Sequence, residues 1–327
     1  MRMLLAGDLG GTKTHLGLFE RATPRPVPTV TRELTTLDYP DLPAMVAEFL
    51  ASEGVTGAHI EVACIGIAGP VFEGGATLTN VPWRVEAAPL RERVGLRRLV
   101  LLNDVEALAY AVPVLGEPDL AVLHAGMPVP TGNGVLITIG TGFGQAFLHR
   151  LEGRFTPLPS EGGHVDFAAR TPREIELLRH LTARYGRVDI ERVVSGQGLG
   201  NIAEFTHGGR CSLIDPQADA SSVPAAVSAA AIENRCPQCR EALQLMIGAL
   251  GSAAGNVAIL GVARGGVFIG GGIPAKILPA LQSDLFVAPF RAKPPMHDML
   301  ATVPVYAILH PEAGLLGAAV HAASVGG

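Results

Sequence analysis

The sequence feature that most constrains the fold is a glycine turn that occurs twice in similar surroundings. The first copy is "GDLGGT", residues 7–12, between the apolar runs 3–6 and 16–19. The second lies in "TIGTGFG", residues 138–144, again with apolar runs before and after it. Apolar runs on both sides of a glycine turn predict a strand–turn–strand hairpin. Two matching hairpins predict a fold built from two similar halves.

The first turn does not have the spacing of a P-loop, which needs Gly, four residues and then Gly-Lys-Ser/Thr before a helix. Here Lys13 follows Thr12, and a strand pattern comes next. A plain hairpin accounts for Gly10 and Gly11 but not for Asp8 at the mouth of the turn. Backbone N–H groups in such turns can hold phosphate oxygens, and a carboxylate beside phosphate needs a cation between them. The residues leave open both a plain hairpin and a phosphate turn in which Asp8 faces Mg²⁺.

The composition predicts a globular protein of two domains. The chain has 327 residues, of which 48% are hydrophobic and 17% charged, so it can bury substantial cores. Its net charge is −5 and it has no long run of Lys and Arg, which argues against nucleic acid as a partner. No apolar segment is expected to reach the roughly 18 residues of a membrane helix, and the first strand leaves no room for a signal peptide. We therefore expect a cytoplasmic protein without a membrane partner.

Short apolar runs alternate with amphipathic segments, which is the pattern of an α/β fold. The predicted strands are 3–6, 16–19, 27–34, 59–67, 99–102, 135–139, 145–149, 267–269 and 303–309. The predicted helices are 42–52, 105–115, 172–185, 239–262, 274–281 and 312–323. Proline clusters predict loops at 24–28 and 112–130, and the polar, alanine-rich segment 208–237 predicts a connection or a short surface helix.

A polar pair, Asn103-Asp104, ends the apolar run 99–102 where a helix is predicted to begin. Ligands of open α/β sheets bind at the carboxyl ends of strands, but Asn and Asp are also favoured helix caps. Asn103-x-x-Glu106 fits a capping box, which would leave Asp104 free of the capping role. Asp104 is then either a structural acid or a base that accepts a proton from a substrate hydroxyl. The helix N-terminus is expected to keep it ionised.

Two later blocks carry further candidate residues. "PSEGGHVDF" places Glu161 and His164 around two glycines, so the block is either a plain surface turn or a turn that presents both side chains to a sugar. Glu191, in "IERVVSGQGL", precedes a glycine-rich helix entry and is uninformative by itself. The strand in "GGVFIGGGI" ends in three glycines, residues 270–272, against which a flat ring or another part of the protein could lie.

The cysteines leave a metal site open without favouring it. Cys236 and Cys239 form a single CxxC, and His207 with Cys211 could complete four zinc ligands. The spacing is irregular, however, and "CPQCREAL" has the pattern of a helix start. Reduced free thiols are the preferred interpretation, so no metal ligand is predicted. Cys64, in an apolar run, is expected to be a small buried side chain.

Taken in order, these blocks resemble the bacterial glucokinases of the sugar-kinase/actin/Hsp70 superfamily. The resemblance covers nearly the whole chain and is carried by "GDLGGT", "LLNDVEALAYAVPVL", "GTGFG", "PSEGGHVDF", "IERVVSGQGL", "CPQCREAL", "GGVFIGGGI" and "PEAGLLGAAVH". It is closer to the proteobacterial type than to the ROK group, whose cysteine-rich zinc motif is not found in the sequence. The departures are Lys13-Thr14, where Asn-Ala is expected, and the segment 208–237, which matches poorly.

The resemblance implies an α/β, two-lobed actin-like ATPase fold with ribonuclease H-like duplicated domains and a central cleft. The small α/β domain would comprise residues 1–104 plus 310–327, and the large α/β domain residues 105–309. The implied activity is transfer of the γ-phosphate of ATP to the 6-hydroxyl of glucose, at the entry to glycolysis. ATP and Mg²⁺ would take part, and a homodimer would be the assembly.

The resemblance also implies a role for each candidate residue. Asp104 would be the catalytic base. The sugar would be bound by Asn103, Asp104, Glu161, His164 and Glu191. ATP would be bound by Gly7, Asp8, Leu9, Gly10, Gly11, Thr12, Gly140, Thr141, Gly142, Gly270 and Gly271. Asp8 would bind Mg²⁺ through water, because Mg²⁺ keeps much of its hydration shell.

Three other functions remain open at this point. A kinase for another hexose or amino-hexose would use the same machinery. A non-catalytic sugar-binding regulator would be expected to carry a DNA-binding domain ahead of the first turn, where only six residues stand here. An actin-like filament protein could keep the nucleotide turns but would not need Glu161, His164 and Glu191 together.

Overall fold

The computed structural model describes residues 3–78, 81–214, 217, 219 and 221–325. The chain divides into two compact units. The first comprises Met1–Gly116, Thr156–Pro159 and His310–Gly327, and the second comprises Glu117–Phe155 and Ser160–Leu309. Residues 215, 216, 218 and 220, within the predicted connection 208–237, lie outside the described part.

Strands and helices alternate along most of the chain. The strands are β1 Met3–Leu9, β2 Lys13–Glu20, β3 Val27–Thr35, β4 Ile60–Ile67, β5 Val71–Phe72, β6 Gly75–Thr77, β7 Arg84–Glu86, β8 Leu99–Asn103, β9 Leu120–His124, β10 Gly134–Ile139, β11 Phe143–Leu151, β12 Arg154–Ser160, β13 Gly266–Gly270 and β14 Val305–Ile308. The helices are α1 Leu42–Ser52, α2 Ala87–Val94, α3 Asp104–Ala111, α4 Pro172–Tyr185, α5 Gly196–His207, α6 Val223–Ile232, α7 Pro237–Leu260, α8 Leu278–Leu281, α9 Asp284–Arg291, α10 His297–Thr302 and α11 Ala313–Val325.

The main sheet of the first unit has the strand order β3-β2-β1-β4-β8. β1 pairs with β2 and β2 with β3 in antiparallel fashion, whereas β4 runs parallel to both β1 and β8. The parallel register sets Asp8 opposite Gly66, and Ile67 opposite Asn103. The carboxyl ends of β1, β4 and β8 therefore lie at one edge of the sheet, where ligands of such folds bind.

The second sheet has the order β12-β11-β10-β13-β14-β9. β10 is antiparallel to β11 and parallel to β13, which is in turn parallel to β14. This repeats the arrangement of β2, β1, β4 and β8 in the first sheet. The duplication predicted from the two glycine hairpins is thus visible in the topology, and the α/β fold class is confirmed.

The sheet of the first unit is covered on both faces. One core cluster joins side chains of β1, β2 and β4 to buried residues of α1 and α2. The other joins Leu4 and Cys64 of the strands to Ala107 of α3 and to Leu315 and Ala318 of α11. Cys64 is fully buried there, as its apolar surroundings in the sequence predict. The shared cluster of α3 and α11 explains why α3 falls in the first unit, whereas the sequence-based boundary was set directly after Asp104.

α7 runs through the core of the second unit. Fourteen of its 24 residues are buried, and they pack in one cluster with side chains of α5, α6 and α9. The helix is long and apolar enough to cross a membrane, so the prediction that no segment reaches that length was wrong. In the structure 67% of its most apolar window is buried within the protein, as in the core helix of a globular domain.

The helices with clear start signals were predicted with the correct bounds. α1 has the N-cap Asp41, whose carboxylate accepts a hydrogen bond from the N–H of Ala44 at 2.8 Å. α4 begins with a capping box in which Thr171 and Glu174 exchange side-chain and backbone bonds. Such caps satisfy N–H groups that the helix itself leaves unpaired, which is why they mark its first residue.

Several short elements were missed or misjudged. The predicted loop 112–130 contains the strand β9, and the predicted loop 24–28 runs into the start of β3. The predicted helix 274–281 is a 3₁₀ turn followed by the single-turn α8. Elements of two to five residues are specified by sheet contacts with distant segments, so their own sequence carries little signal.

Candidate active site

Asn103 and Asp104 lie at the carboxyl end of β8, where α3 begins. The Asn103 side-chain oxygen accepts hydrogen bonds from the N–H groups of Val105 at 3.0 Å and Glu106 at 3.3 Å. The Glu106 carboxylate accepts a bond from the Asn103 backbone in return. The predicted capping box is therefore present. Asn103 also donates to the Gly69 carbonyl at 3.1 Å, and its side chain hydrogen-bonds the Asp104 carboxylate.

Asp104 is the first residue of α3. Its carboxylate accepts the N–H of Val105, at 2.9 Å, together with its own backbone N–H and the Asn103 side chain. Burial, and then the negative charge of Asp8, raise the pKa of Asp104 to about 6. Desolvation outweighs the favourable hydrogen bonds at the helix start, so Asp104 binds a proton more tightly than an ordinary aspartate, although a group with this pKa is still mostly ionised at neutral pH. A carboxylate with a raised pKa is a stronger base than an ordinary aspartate.

Asp8 ends the apolar part of β1 and packs against the first turn of α11. A Cβ atom on Gly314 would lie 2.5 Å from an Asp8 carboxylate oxygen, so only glycine lets this helix approach. Burial raises the pKa of Asp8, and His15 opposes this effect. The contact between Asp8 and α11 joins segments far apart in sequence, and its only sequence signal is the glycine and alanine content of "PEAGLLGAAVH".

The first glycine turn is held by threonine side chains. The Thr36 hydroxyl donates to the Gly10 carbonyl at 2.9 Å and lies 2.9 Å from the hydroxyl of the fully buried Thr14. Thr14, noted above as a departure from the family pattern, thus has a structural partner. Within the described part of the chain, the N–H groups of Gly11 and Thr12 have no protein acceptor. Two free N–H groups on a fixed turn can hold phosphate oxygens.

Two neighbours of this turn contribute less than the sequence suggested. The Leu9 side chain is fully buried, so only its backbone is available to a ligand. Lys13 is exposed, and its ammonium group lies 2.6 Å from the Glu33 carboxylate. The ion pair turns Lys13 toward β3.

The second glycine turn, Gly140-Thr141-Gly142, joins β10 and β11 in the same way. Gly140 donates to the Gly142 carbonyl at 2.9 Å, and the Gly140 carbonyl accepts the N–H of Gly196, at the start of α5, at 2.8 Å. In the described structure no protein group accepts the N–H of Thr141 or Gly142. This turn therefore has the same pair of free donors as the first. The contact between this turn and α5 was not predicted. The glycines at the start of α5 are the sequence signal that could have suggested such a close approach.

Gly162 and Gly163 form a buried turn rather than a surface one. A Cβ atom on Gly162 would lie 1.6 Å from the Gln145 side-chain nitrogen, and one on Gly163 would lie 2.1 Å from the Phe143 carbonyl oxygen. Both glycines are therefore required for the turn to pack on β11. The N–H of Glu191 donates to the Gly163 carbonyl at 3.1 Å, which fixes the segment around Glu191 beside the turn.

Glu161, His164 and Glu191 are brought together by this packing. Glu161 is exposed, and its carboxylate has no hydrogen-bond or ion-pair partner among the described residues. His164 lies 3.5 Å from the Asp189 carboxylate, which orients its ring. Glu191 accepts the N–H of Phe143 at 2.9 Å, directly after the second glycine turn. Glu191 thus connects the 161–164 turn with the 140–142 turn.

The three glycines after β13 have different surroundings. Gly271 has φ +97°, and a Cβ there would lie 2.4 Å from the Ile139 carbonyl oxygen, so its close neighbour is protein. Gly272 has open space at the Cβ position, as does Gly140. Because β10 and β13 are adjacent and parallel, Gly270 and Gly271 lie beside the second glycine turn.

A cavity of about 440 Å³ lies behind the Gly162 turn. Its lining is mainly apolar and includes Val165, Phe167, Ala253 and Leu260. Few hydrogen-bonding groups face it, whereas a sugar needs a donor or acceptor for each hydroxyl. The carboxylates described above are better suited to a polar ligand than this cavity is.

The comparisons with known proteins agree with this arrangement. The family model described as "Glucokinase" matches residues 5–325. The glucokinase of Nostoc punctiforme is 38% identical over 341 residues, which cover 99% of each chain. The glucokinase of Yersinia enterocolitica is 34% identical over 317 residues, which cover 97% of this chain and 95% of the relative.

Solved structures show the same similarity. The glucokinase from an Antarctic psychrotroph has a TM-score of 0.85 and 30% identity, with 99% of each chain covered. A ROK family glucokinase from Streptomyces griseus, solved with glucose and AMPPNP, has a TM-score of 0.63 and 20% identity, with 98% of this chain and 99% of that chain covered. At that identity it shows only that the actin-like kinase fold is shared. The similarity along nearly the whole length establishes that the chain belongs to the Glucokinase family.

Proposed function

We propose that the chain is a glucokinase that transfers the γ-phosphate of ATP to the 6-hydroxyl of glucose, giving glucose 6-phosphate and ADP. The observation that carries this proposal is Asp104, a partly buried carboxylate with a pKa raised to about 6 at the carboxyl edge of the first sheet. Membership in the family, with relatives named glucokinase at 34–38% identity, supports glucose as the sugar.

In this proposal Asp104 is the general base. At neutral pH it is mostly ionised, yet it binds a proton more tightly than an ordinary aspartate does. It takes the proton of the sugar 6-hydroxyl as that oxygen attacks the γ-phosphorus. In a loose phosphoryl-transfer transition state the proton leaves late, so a base of this strength suffices. Holding the hydroxyl in line with the phosphate supplies much of the remaining acceleration.

The remaining sugar hydroxyls are assigned to polar side chains of both units. In the first unit, the Asn103 amide lies beside Asp104 and would exchange its bond to that carboxylate for one to a sugar hydroxyl. In the second unit, Glu161 offers an unpaired carboxylate, His164 a ring oriented by Asp189, and Glu191 a second carboxylate oxygen. Carboxylates accept bonds from two adjacent hydroxyls, which suits a pyranose.

The two glycine turns are assigned to the phosphates of ATP. The first comprises Gly7, Asp8, Leu9, Gly10, Gly11 and Thr12, and the second comprises Gly140, Thr141 and Gly142. Their unpaired N–H groups at Gly11, Thr12, Thr141 and Gly142 support this role. Gly270 and Gly271 are assigned to the adenine side, because the adjacent Gly272 and Gly140 leave open space.

Asp8 offers a carboxylate that would suit Mg²⁺, a hard cation that prefers oxygen ligands. Such an ion would also offset the negative charge that Asp8 places near Asp104, while Asp104 itself keeps the role of base. Asp8 would hold the ion through water. When bound, Mg²⁺ would neutralise phosphate charge during transfer. The Asp8 carboxylate itself is held against Gly314, in the first turn of α11.

The proposal extends to the setting of the reaction. We place it at the entry of glycolysis and in the cytoplasm, and we expect the working assembly to be a homodimer. These assignments are supported by the family alone, and light scattering of the purified chain tests the assembly directly.

The deciding experiment is a coupled assay of ADP release. Mg·ATP is supplied with glucose, mannose, fructose, N-acetylglucosamine or no sugar. ADP release that strongly prefers glucose is the expected result. Preference for another sugar would contradict the assignment of glucose and leave the phosphoryl transfer intact. No sugar-dependent release from folded protein would overturn the kinase function and favour a non-catalytic sugar-binding protein.

A further inference from the structure

A cluster outside the candidate active site gathers three thiols and one imidazole in the second unit. His207 is the last residue of α5, Cys211 follows in the connection, Cys236 is the N-cap of α7, and Cys239 lies in its first turn. One ligand atom from each of these residues lies within 4.8 Å of every other. From the sequence alone the spacing had seemed too irregular for a metal site. The fold removes that objection, because it joins the end of one helix to the start of another.

Three of the distances between these atoms are close to those in a tetrahedron of metal ligands. His207 Nε2 lies 3.3 Å from Cys236 Sγ and 3.9 Å from Cys239 Sγ, and Cys211 Sγ lies 3.7 Å from Cys239 Sγ. With Zn–S near 2.3 Å and Zn–N near 2.0 Å, tetrahedral ligands lie roughly 3.5–3.8 Å from one another. All three cysteines are at least 90% buried, and the structure records them as free thiols.

The surroundings orient the ligands as metal sites require. His207 Nδ1 lies 2.7 Å from the Ala203 carbonyl oxygen, so this nitrogen carries the proton and donates it. Nε2 is then left with a lone pair directed at the sulfurs. In zinc sites the ligating histidine usually donates its other ring N–H to a backbone carbonyl or a carboxylate, which fixes its tautomer and orientation. The N–H of Cys239 also donates to Cys236 Sγ at 3.4 Å, which stabilises a thiolate there.

A disulfide explains the cluster less well. It would use two of the sulfurs and leave one thiol to bond the imidazole, which does not account for the convergence of all four ligand atoms within 4.8 Å of one another. Four convergent donors of the Cys₃His type are instead a complete ligand set for a structural zinc, with no open position for water. We propose that His207, Cys211, Cys236 and Cys239 bind one structural Zn²⁺ in this chain.

Such an ion would fasten α5 to α7. The chain between Cys211 and Cys236 includes helix α6. Bonds from both cysteines to one ion would hold the two ends of this segment together. A cavity of about 430 Å³ lies beside the cluster and has Cys211, Ala203 and Val223 in its wall. The opposite end of α5 donates a hydrogen bond to the second glycine turn through Gly196. The zinc would therefore fix the helix that supports this turn.

The test measures the metal itself. The full chain is purified without chelator, and zinc is determined by mass spectrometry of the metal; we expect about one ion per chain. The variant C236S is the sharpest probe, because a serine hydroxyl keeps the N-cap bond to the Cys239 N–H while removing a thiolate ligand. It should lose at least about tenfold in zinc affinity, whereas C64S, a buried cysteine of the first unit, should keep the wild-type zinc content.

A second measurement does not depend on any variant folding. Wild-type protein stripped of metal and loaded with Co²⁺ should show the intense visible absorption of tetrahedral cobalt–thiolate coordination, and zinc should displace it. The thiols should resist alkylation until a chelator is added. A wild-type chain that stays free of zinc after dialysis against it, unchanged zinc in C236S, or a disulfide within the cluster in the intact mass would each overturn the proposal.

Discussion

At the scale of single residues, Asp104 shows what sequence reasoning resolved and what it did not. Its position after an apolar run and beside a capping asparagine was sufficient to nominate it. Its protonation behaviour depends on burial and on Asp8, which is 96 positions away in sequence and adjacent only after β1, β4 and β8 pair. The capping pattern was therefore enough to locate Asp104, whereas its raised pKa depends on the folded sheet.

Replacing Asp104 by Asn should remove the base and keep the local structure. The amide oxygen can still accept the N–H of Val105, so α3 should begin normally. We expect turnover with Mg·ATP and glucose to fall by about 10²–10⁴, the range for loss of a general base. Steady-state kinetics measure this, with circular dichroism as the control for folding. Unchanged turnover in the folded variant would remove Asp104 from the base role.

The same substitution should change how stability depends on pH. Since the pKa of Asp104 is raised to about 6, the folded state holds this proton more tightly than the unfolded state, and stability falls as pH rises from about 4 to 6. Well above pH 6 Asp104 is ionised in both the folded and the unfolded state, so the free energy of unfolding is lowered by the full amount and no longer changes with pH. D104N should therefore be more stable than wild type at pH 7, by up to about 3 kcal/mol, and equally stable near pH 3. Urea unfolding at both values decides this, and a gain independent of pH would contradict it.

Glu161 allows a second test at this scale. Its carboxylate is exposed and has no partner among the described residues, so E161A should leave stability unchanged. If it binds sugar hydroxyls, the KM for glucose should rise about tenfold or more, with the KM for ATP unaffected. An unaltered sugar KM would place Glu161 outside the sugar site.

At the scale of elements, the predictable parts were those with local signals. α1 and α4 carry their own caps, and the two glycine hairpins carry their own turns, so each could be located from a short window. β9 and the small sheet of β5, β6 and β7 have no such signals and exist because partner strands lie beside them. The link between α5 and the second glycine turn was likewise outside any local window.

The turn at Gly162-Gly163 can be tested by a pair of double variants. Both G162A and G163A should destabilise the protein by roughly 1–3 kcal/mol, because each added methyl overlaps a neighbour. Q145A should partly rescue G162A, whose clash is with the Gln145 side chain. It should not rescue G163A, whose clash is with the Phe143 backbone. Urea unfolding of the two cycles measures the coupling, and equal coupling in both would refute the described packing.

At the scale of the whole molecule, α7 is the element that the second unit is built around. Its composition alone suits a membrane helix, and the distinction comes from the helices packed around it. Sequence reasoning recognised the family from ordered motifs and named His207 and three cysteines as possible zinc ligands. It favoured free thiols because the convergence of the four side chains depends on α5 meeting α7.

Hydrogen exchange should rank the elements by burial. Amides in the middle of α7, where most side chains are buried, should exchange roughly 10²-fold more slowly than those of α2, which buries only Leu90. Mass spectrometry of peptides from the native protein measures both. Comparable exchange in the two helices would show that α7 is not the stable centre of its unit.

The return of α11 to the first unit has a consequence for how the protein is made. Arg21, at the end of β2, donates a hydrogen bond to the Ala323 carbonyl, 302 positions away. On the ribosome the strands of the first unit emerge early, yet the helix that covers one face of their sheet and borders Asp8 is translated only after the second unit. The second unit lies between these two parts and is nearly continuous in sequence, so it can complete its core first. The nascent chain should therefore expose an apolar sheet face until α11 has been made, and Asp8 gains its helical neighbour only then.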